Sequence, residues 1–201
     1  MKPYLLIIVL YSLFNFIESS SKAEDPSQVC LNFDIPMGTF TVSSPSQIEY
    51  LETRGVSTCI FAVLSDPSTK ITSAAHLAAT HDMFLSLMLM RKEMIAKGAN
   101  TNTMSLKLRG GWKKWSDSMT SDLLLAAKRL KIKNIDNDTL FDIGIGPDYI
   151  IKPSATTHEA INNWYIHLKS GTIGTFKEYH SPSSMTCLYS TPIEVHPLPL
   201  K

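Results

Sequence analysis

The chain has 201 residues, 44% of them hydrophobic, with 19 basic and 18 acidic side chains and a formal charge of +1. That is enough chain for one domain with a real core. A near-neutral balance without a long run of like charge excludes a nucleic-acid binder that works by neutralising phosphates; Lys113-Lys114 and residues 128–133 read as solvated basic spots.

The first residues read as a targeting segment. Lys2 is a short positive region, and residues 4–17 are apolar apart from Ser12 and Asn15. Ser21-Lys22-Ala23 then offers the small residues a signal peptidase reads. The apolar run is shorter than the roughly 20 residues a bilayer span needs. The expectation is a cleaved signal peptide over 1–23, a secreted or periplasmic domain over 24–201, and no membrane attachment afterwards. Losing the leader removes Lys2, Lys22 and Glu18 and brings the formal charge to zero.

An exported chain meets an oxidising compartment, and three cysteines there leave one thiol over. Cys30 and Cys187 lie near the two ends of the exported chain, and the ends of compact domains are often close. A Cys30–Cys187 disulfide and a free Cys59 are expected. The alternative is three unpaired buried cysteines.

In chain order, residues 24–45 are polar and turn-rich, with short strand candidates at 29–33 and 38–42. Residues 56–64 are apolar and rich in β-branched and aromatic types, and end at Asp66-Pro67-Ser68. They read as a buried strand, paired through that turn with residues 70–77. Asp82 is placed to cap a helix running to Lys97, with Gly98 as its stop. Phe84, Leu87, Met88, Met94 and Ile95 fall at helical spacing. The Met83, Met88, Met90 and Met94 face suits core packing better than a peptide groove.

Met104, Leu106 and Leu108 alternate with polar residues, so a half-buried strand is expected there, ended by Gly110-Gly111. Residues 118–131 read as a second amphipathic helix through Leu123, Leu124, Ala127 and Leu130. Residues 140–145 read as another strand. Residues 156–169 fit either a helix capped by Thr156 and Glu159 or a strand; a hairpin over 163–179, turning at Ser170-Gly171, is preferred. A Pro-rich tail over 181–201 is expected to wrap the surface. Mixed buried and alternating strands with two helices make one α/β domain, with two packed sheets or one sheet covered on one side.

The chemistry centres on Cys59, in the run Thr53-Arg54-Gly55-Val56-Ser57-Thr58-Cys59, and on His76 in the paired strand. A thiol nucleophile needs a base, and the base needs an orienting group. Cys59, His76 and Thr53 supply the three. A cysteine in an apolar strand is otherwise a small buried hydrophobe. A rival zinc site from His76, His81 and Asp82, with or without Cys59, has a spacing that matches neither one helix face nor a common zinc motif. His158, His167, His180 and His196 are isolated. Asn137-Asp138-Thr139 is a glycosylation sequon, relevant in a eukaryotic secretory pathway.

The pattern Thr53-x-Gly55-x-Ser57-Thr58-Cys59, followed by Ala75-His76, resembles the chemoreceptor glutamine deamidases of the CheD family. Lys97-Gly98-Ala99, the next strand and Gly110-Gly111 continue that likeness, which covers about residues 49–179. Ser57 stands where that family usually has glycine. Ser57-Thr58-Cys59 and Gly110-Gly111-Trp112 are also similar to the protein N-terminal asparagine amidohydrolases.

The resemblance implies a layered β/β/α sandwich of mixed sheets with two main helices. It implies a cysteine amidohydrolase that needs no cofactor or metal and deamidates Gln or Asn side chains of a protein or peptide through a thioester. Cys59, His76 and Thr53 would be catalytic, with Ser57, Thr58, Gly110 and Gly111 around the substrate and its oxyanion. The alternatives are N-terminal asparagine hydrolysis, transfer to an amine, and an inactive binding protein that kept the fold.

Overall fold

A computed structural model describes residues 30–111, 113–139, 163–175 and 193–201. Chain order runs β1 (Cys30–Asp34), β2 (Thr39–Ser43), β3 (Ile48–Thr53), β4 (Ile60–Ser65) and β5 (Thr72–Leu77). Helix α1 (Met83–Ala96), β6 (Ser105–Gly110), helix α2 (Lys113–Arg129) and β7 (Asn134–Thr139) follow. The last elements are β8 (Trp164–His167), β9 (Thr172–Thr175) and β10 (Val195–Pro197).

The described strands form two mixed sheets. One has the order β1-β3-β8-β9, the other β10-β2-β5-β4-β6-β7. The β1–β3 and β6–β7 pairs are parallel and the remaining pairs antiparallel. Side-chain alternation sorts the core into two layers. Ile60, Ala62, Leu64, Ala75, Leu77, Leu106 and Leu108 pack with Leu87, Met90, Met94, Leu123 and Ala127 of the helices. Phe61, Val63 and Ala74 point the other way and pack with Leu51, Trp164 and Ile166 of the smaller sheet. The fold is therefore a β/β/α stack of mixed sheets with two helices on one outer face. Strands β4 and β5 are covered on both sides, so β4 is apolar up to Ser65, while β5 buries Thr72, Ser73 and His76 beside Ala74, Ala75 and Leu77.

The expected hairpin at residues 56–77 forms, but its first strand begins at Ile60. Residues 55–59 are a loop, because Gly55 takes a left-handed φ of +69° and breaks the extended run. Asp82 caps α1, its Oδ1 accepting from Leu85 N at 2.9 Å, and Gly98 follows with φ +98°. Met83, Met90 and Met94 are core residues, while Met88 and Ile95 lie on the solvent side of α1. Helix α2 starts at Lys113, earlier than its apolar stripe suggests, and ends at Arg129. Trp164 to His167 is a strand, so the hairpin reading of that segment is the right one as far as Thr175.

Strands β3 and β7 are additions the sequence pattern did not suggest. The expected strand at 140–145, the sequence around Thr156 and the Pro-rich stretch before residue 193 lie outside the described residues. The described end of the tail does more than wrap. As β10 it pairs with β2 at the sheet edge, and Leu198 N donates to Gly38 O at 2.9 Å.

Candidate active site

His76 lies on β5 and Phe61 is its partner on β4. Like Ala74 two residues earlier, His76 turns toward the smaller sheet, where Thr53 ends β3. His76 Nδ1 and Thr53 Oγ1 are 2.9 Å apart, and Thr53 Oγ1 also donates to Ile35 O at 2.9 Å. A hydroxyl has one hydrogen, and a carbonyl oxygen can only accept. The Thr53 hydrogen is therefore spent on Ile35, and His76 Nδ1 must be the donor to Thr53. This fixes the imidazole tautomer with hydrogen on Nδ1 and a lone pair on Nε2. That Nε2 is buried and makes no hydrogen bond among the described residues. Burial, and then the charge of nearby His81, pull the His76 pKa down to about 4. The resting ring is neutral and able to accept a proton.

Cys59 lies on the same side as His76. It precedes Ile60, which pairs with Leu77, and it packs with Phe61 and Val56 in the core between the sheets. It is 8% exposed and is a free thiol. Burial pushes the thiol pKa up, and a hydrogen bond with the Thr58 side chain opposes that shift. Both shifts favour neutral partners. A standing thiolate–imidazolium ion pair is thus disfavoured, and Cys59 Sγ makes no hydrogen bond to Nε2 in this conformation.

Several elements hold the loop of residues 55–59. Gly55 N donates to Asn163 Oδ1 at 3.3 Å, and Ser116 Oγ on α2 donates to Thr58 O at 2.8 Å. Gly110 and Gly111 have φ of +78° and +76°. A Cβ on Gly110 would lie 2.7 Å from Val56 Cγ1 and 3.0 Å from Val56 O. One on Gly111 would lie 3.2 Å from Ser116 Cβ. The double glycine lets the end of β6 pass directly against the cysteine loop, a packing role visible without any ligand. Ser57 is half-buried and Thr58 exposed on that loop.

Two residues of the zinc alternative have other partners. Asp82 is spent as a helix cap, and His81 Nδ1 accepts from Ala78 N at 2.9 Å. Among the described residues no three His, Cys, Asp or Glu side chains converge to hold a metal. His167 bonds Ser170 and faces Glu49, while His196 stacks on Phe40. The Cys30–Cys187 pairing, His158, His180 and Trp112 fall outside the described residues or side chains. Asn163, Ser116 and the Ile35 carbonyl are site components with no motif to announce them; each acts through a contact distant in sequence.

No family model and no curated protein match this chain. Among solved structures it is similar to a Neisseria meningitidis protein of the family model DUF152. The two share 10% sequence identity at a TM-score of 0.38, over 50% of this chain and 52% of that one. This chain thus spans about half the length of that protein.

Proposed function

We propose that this protein is an exported cysteine amidohydrolase that deamidates Gln or Asn side chains of a protein or peptide. The observation that carries the reading is the Ile35–Thr53–His76 relay, which leaves a bare Nε2 lone pair on the Cys59 side of the sheet. The likeness of the Thr53-to-His76 pattern to the CheD-family deamidases supports the same chemistry. That likeness puts the family fold and chemistry behind the reading, not the chemoreceptor substrate.

In this mechanism His76 acts as a general base on a neutral thiol. The Cys59 Sγ–H proton moves to Nε2 as sulfur attacks the carboxamide carbon. The oxyanion is met by backbone N–H groups of residues 55–59, held still by their surrounding bonds. Collapse of the intermediate breaks the C–N bond. The leaving nitrogen takes the His76 proton and departs as ammonia, leaving a thioester on Cys59. Water then attacks the thioester, passing a proton to Nε2, and the departing sulfur recovers it. The net change is carboxamide and water to carboxylic acid and ammonia.

The test is ammonia release from peptides with internal Gln, internal Asn or N-terminal Asn, comparing the chain with its Cys59→Ser variant. Release by the unsubstituted chain alone is expected, and the preferred peptide assigns the substrate class. Equal release by a folded Cys59→Ser variant would refute a cysteine mechanism.

A further inference from the structure

One side chain at this end of the molecule is not explained by strand pairing or by the thiol and imidazole. Asn163 precedes β8, just beyond the rung where Thr53 pairs with Trp164. It is only 2% exposed. Its carboxamide faces Gly55 N at 3.3 Å, across 108 positions of sequence. A backbone N–H only donates, so the atom turned to the loop is the oxygen. The NH2 end is thereby turned elsewhere. The bond to Gly55 is the one hydrogen bond this side chain makes among the described residues. Buried amides normally spend their donors. Here, among the described residues, both N–H donors are unspent.

The location gives those donors a use. The oxygen end fastens Gly55, where the loop carrying Cys59 begins. The nitrogen end is therefore held in a set relation to that loop at no cost in side-chain freedom on binding. A carboxamide substrate brings a carbonyl oxygen that needs donors as charge develops on it. We propose that Asn163 is a substrate-binding residue of the deamidase site. Its Oδ1 anchors the 55–59 loop, and its Nδ2 donates to the carbonyl oxygen of the Gln or Asn carboxamide. The inference rests on the deamidase reading above.

Two variants and two readouts separate the parts. Asn163→Asp keeps an acceptor for Gly55 and loses both donors; Asn163→Ala loses acceptor and donors. The first readout is alkylation of Cys59 by iodoacetamide, followed by intact mass across a pH series. The series separates a shifted thiol titration from a lost rate, and needs no deamidation. The second is kcat and KM for ammonia release, with folding checked by circular dichroism. Asn163→Asp is expected to keep the plateau alkylation rate within about threefold and lose kcat by about 100-fold, the scale of one oxyanion donor. Asn163→Ala is expected to slow both. Unchanged kcat in Asn163→Asp overturns the donor role, and unchanged alkylation and kcat in Asn163→Ala overturns the whole proposal. If the unsubstituted chain releases no ammonia while Asn163→Ala still slows alkylation, the deamidase reading and the donor role both fall. Asn163 is then a loop anchor only.

Discussion

At the scale of single residues, Thr53 decides what His76 can do. Its hydroxyl donates to Ile35 O and accepts from His76 Nδ1, so the ring has one tautomer. Thr53→Val keeps the shape and removes both bonds, leaving the buried Nδ1–H without a partner. The ring is then free to hold its hydrogen on Nε2, where it cannot act as a base. Steady-state ammonia release by Thr53→Val should fall about 10- to 100-fold in kcat, within the range of general-base effects. Thr53→Ser, which can restore both bonds, should recover most of it. Equal rates for the valine and serine variants would remove Thr53 from the machinery.

The His76 pKa of about 4 gives a second expectation at this scale. A free enzyme whose base titrates there keeps activity well below the ordinary histidine range near 6.5. The acidic limb of kcat/KM should therefore fall near pH 4, and a limb centred at 6.5 would contradict a buried neutral base. The same depression has a stability consequence. Between pH 6.5 and 4 the unfolded chain holds a proton on this residue that the folded chain does not. The contribution of His76 to stability is thus complete above pH 6.5 and shrinks as pH falls through that window. His76→Gln should flatten this part of a melting-temperature profile.

At the scale of elements, legibility followed the reach of the contacts. Strands β4 and β5 were readable because both faces are buried and a local turn joins them. The pairing of His76 with the strand that follows Cys59 comes from that hairpin alone. Strand β3 was not readable, because Glu49 and Glu52 interrupt its apolar pattern. Glu52 is nonetheless buried, with Oε1 taking hydrogen bonds from Asn32 at 3.1 Å and Arg54 at 3.4 Å. Strand β7 is polar apart from Ile135, and Arg109 on β6 ties it through Asp136 at 2.7 Å. Asn163 was beyond reach because its partner lies in a loop far along the chain.

The turn between β4 and β5 shows how a local motif gains a distant role. Asp66 caps Ser68 N at 2.9 Å and also accepts from Asn100 N at 2.7 Å and Thr103 Oγ1 at 2.6 Å. It therefore joins the hairpin turn to the chain entering β6. Burial alone would raise its pKa. The hydrogen bonds from Thr103, Thr69, Asn100 and Ser68 outweigh burial and hold the carboxyl far below the usual range. The resulting stabilisation is present above the ordinary carboxylate pKa and is lost as pH falls below it. Asp66→Ala leaves several buried donors without an acceptor, and urea unfolding should show a loss of about 2–4 kcal/mol.

At the scale of the whole molecule, the site exists only because two layers meet. Thr53 belongs to the smaller sheet and His76 to the larger, so their hydrogen bond spans the layer boundary. Ile166 on β8 fills the core between the sheets, whereas Leu123 on α2 fills the core between the larger sheet and the helices; neither is exposed to solvent. Truncating either to alanine should cost about 2–5 kcal/mol, as for large aliphatic residues in other cores. Stability alone does not distinguish the two changes. Activity measured well below both melting temperatures should. Ile166→Ala loosens the sheet that carries Thr53, so kcat should drop several-fold and Cys59 alkylation change with it. Leu123→Ala leaves the Thr53–His76 contact in place, so kcat should stay near that of the unsubstituted chain. Equal activity losses at matched stability would mean that the helix layer, too, sets the geometry of His76.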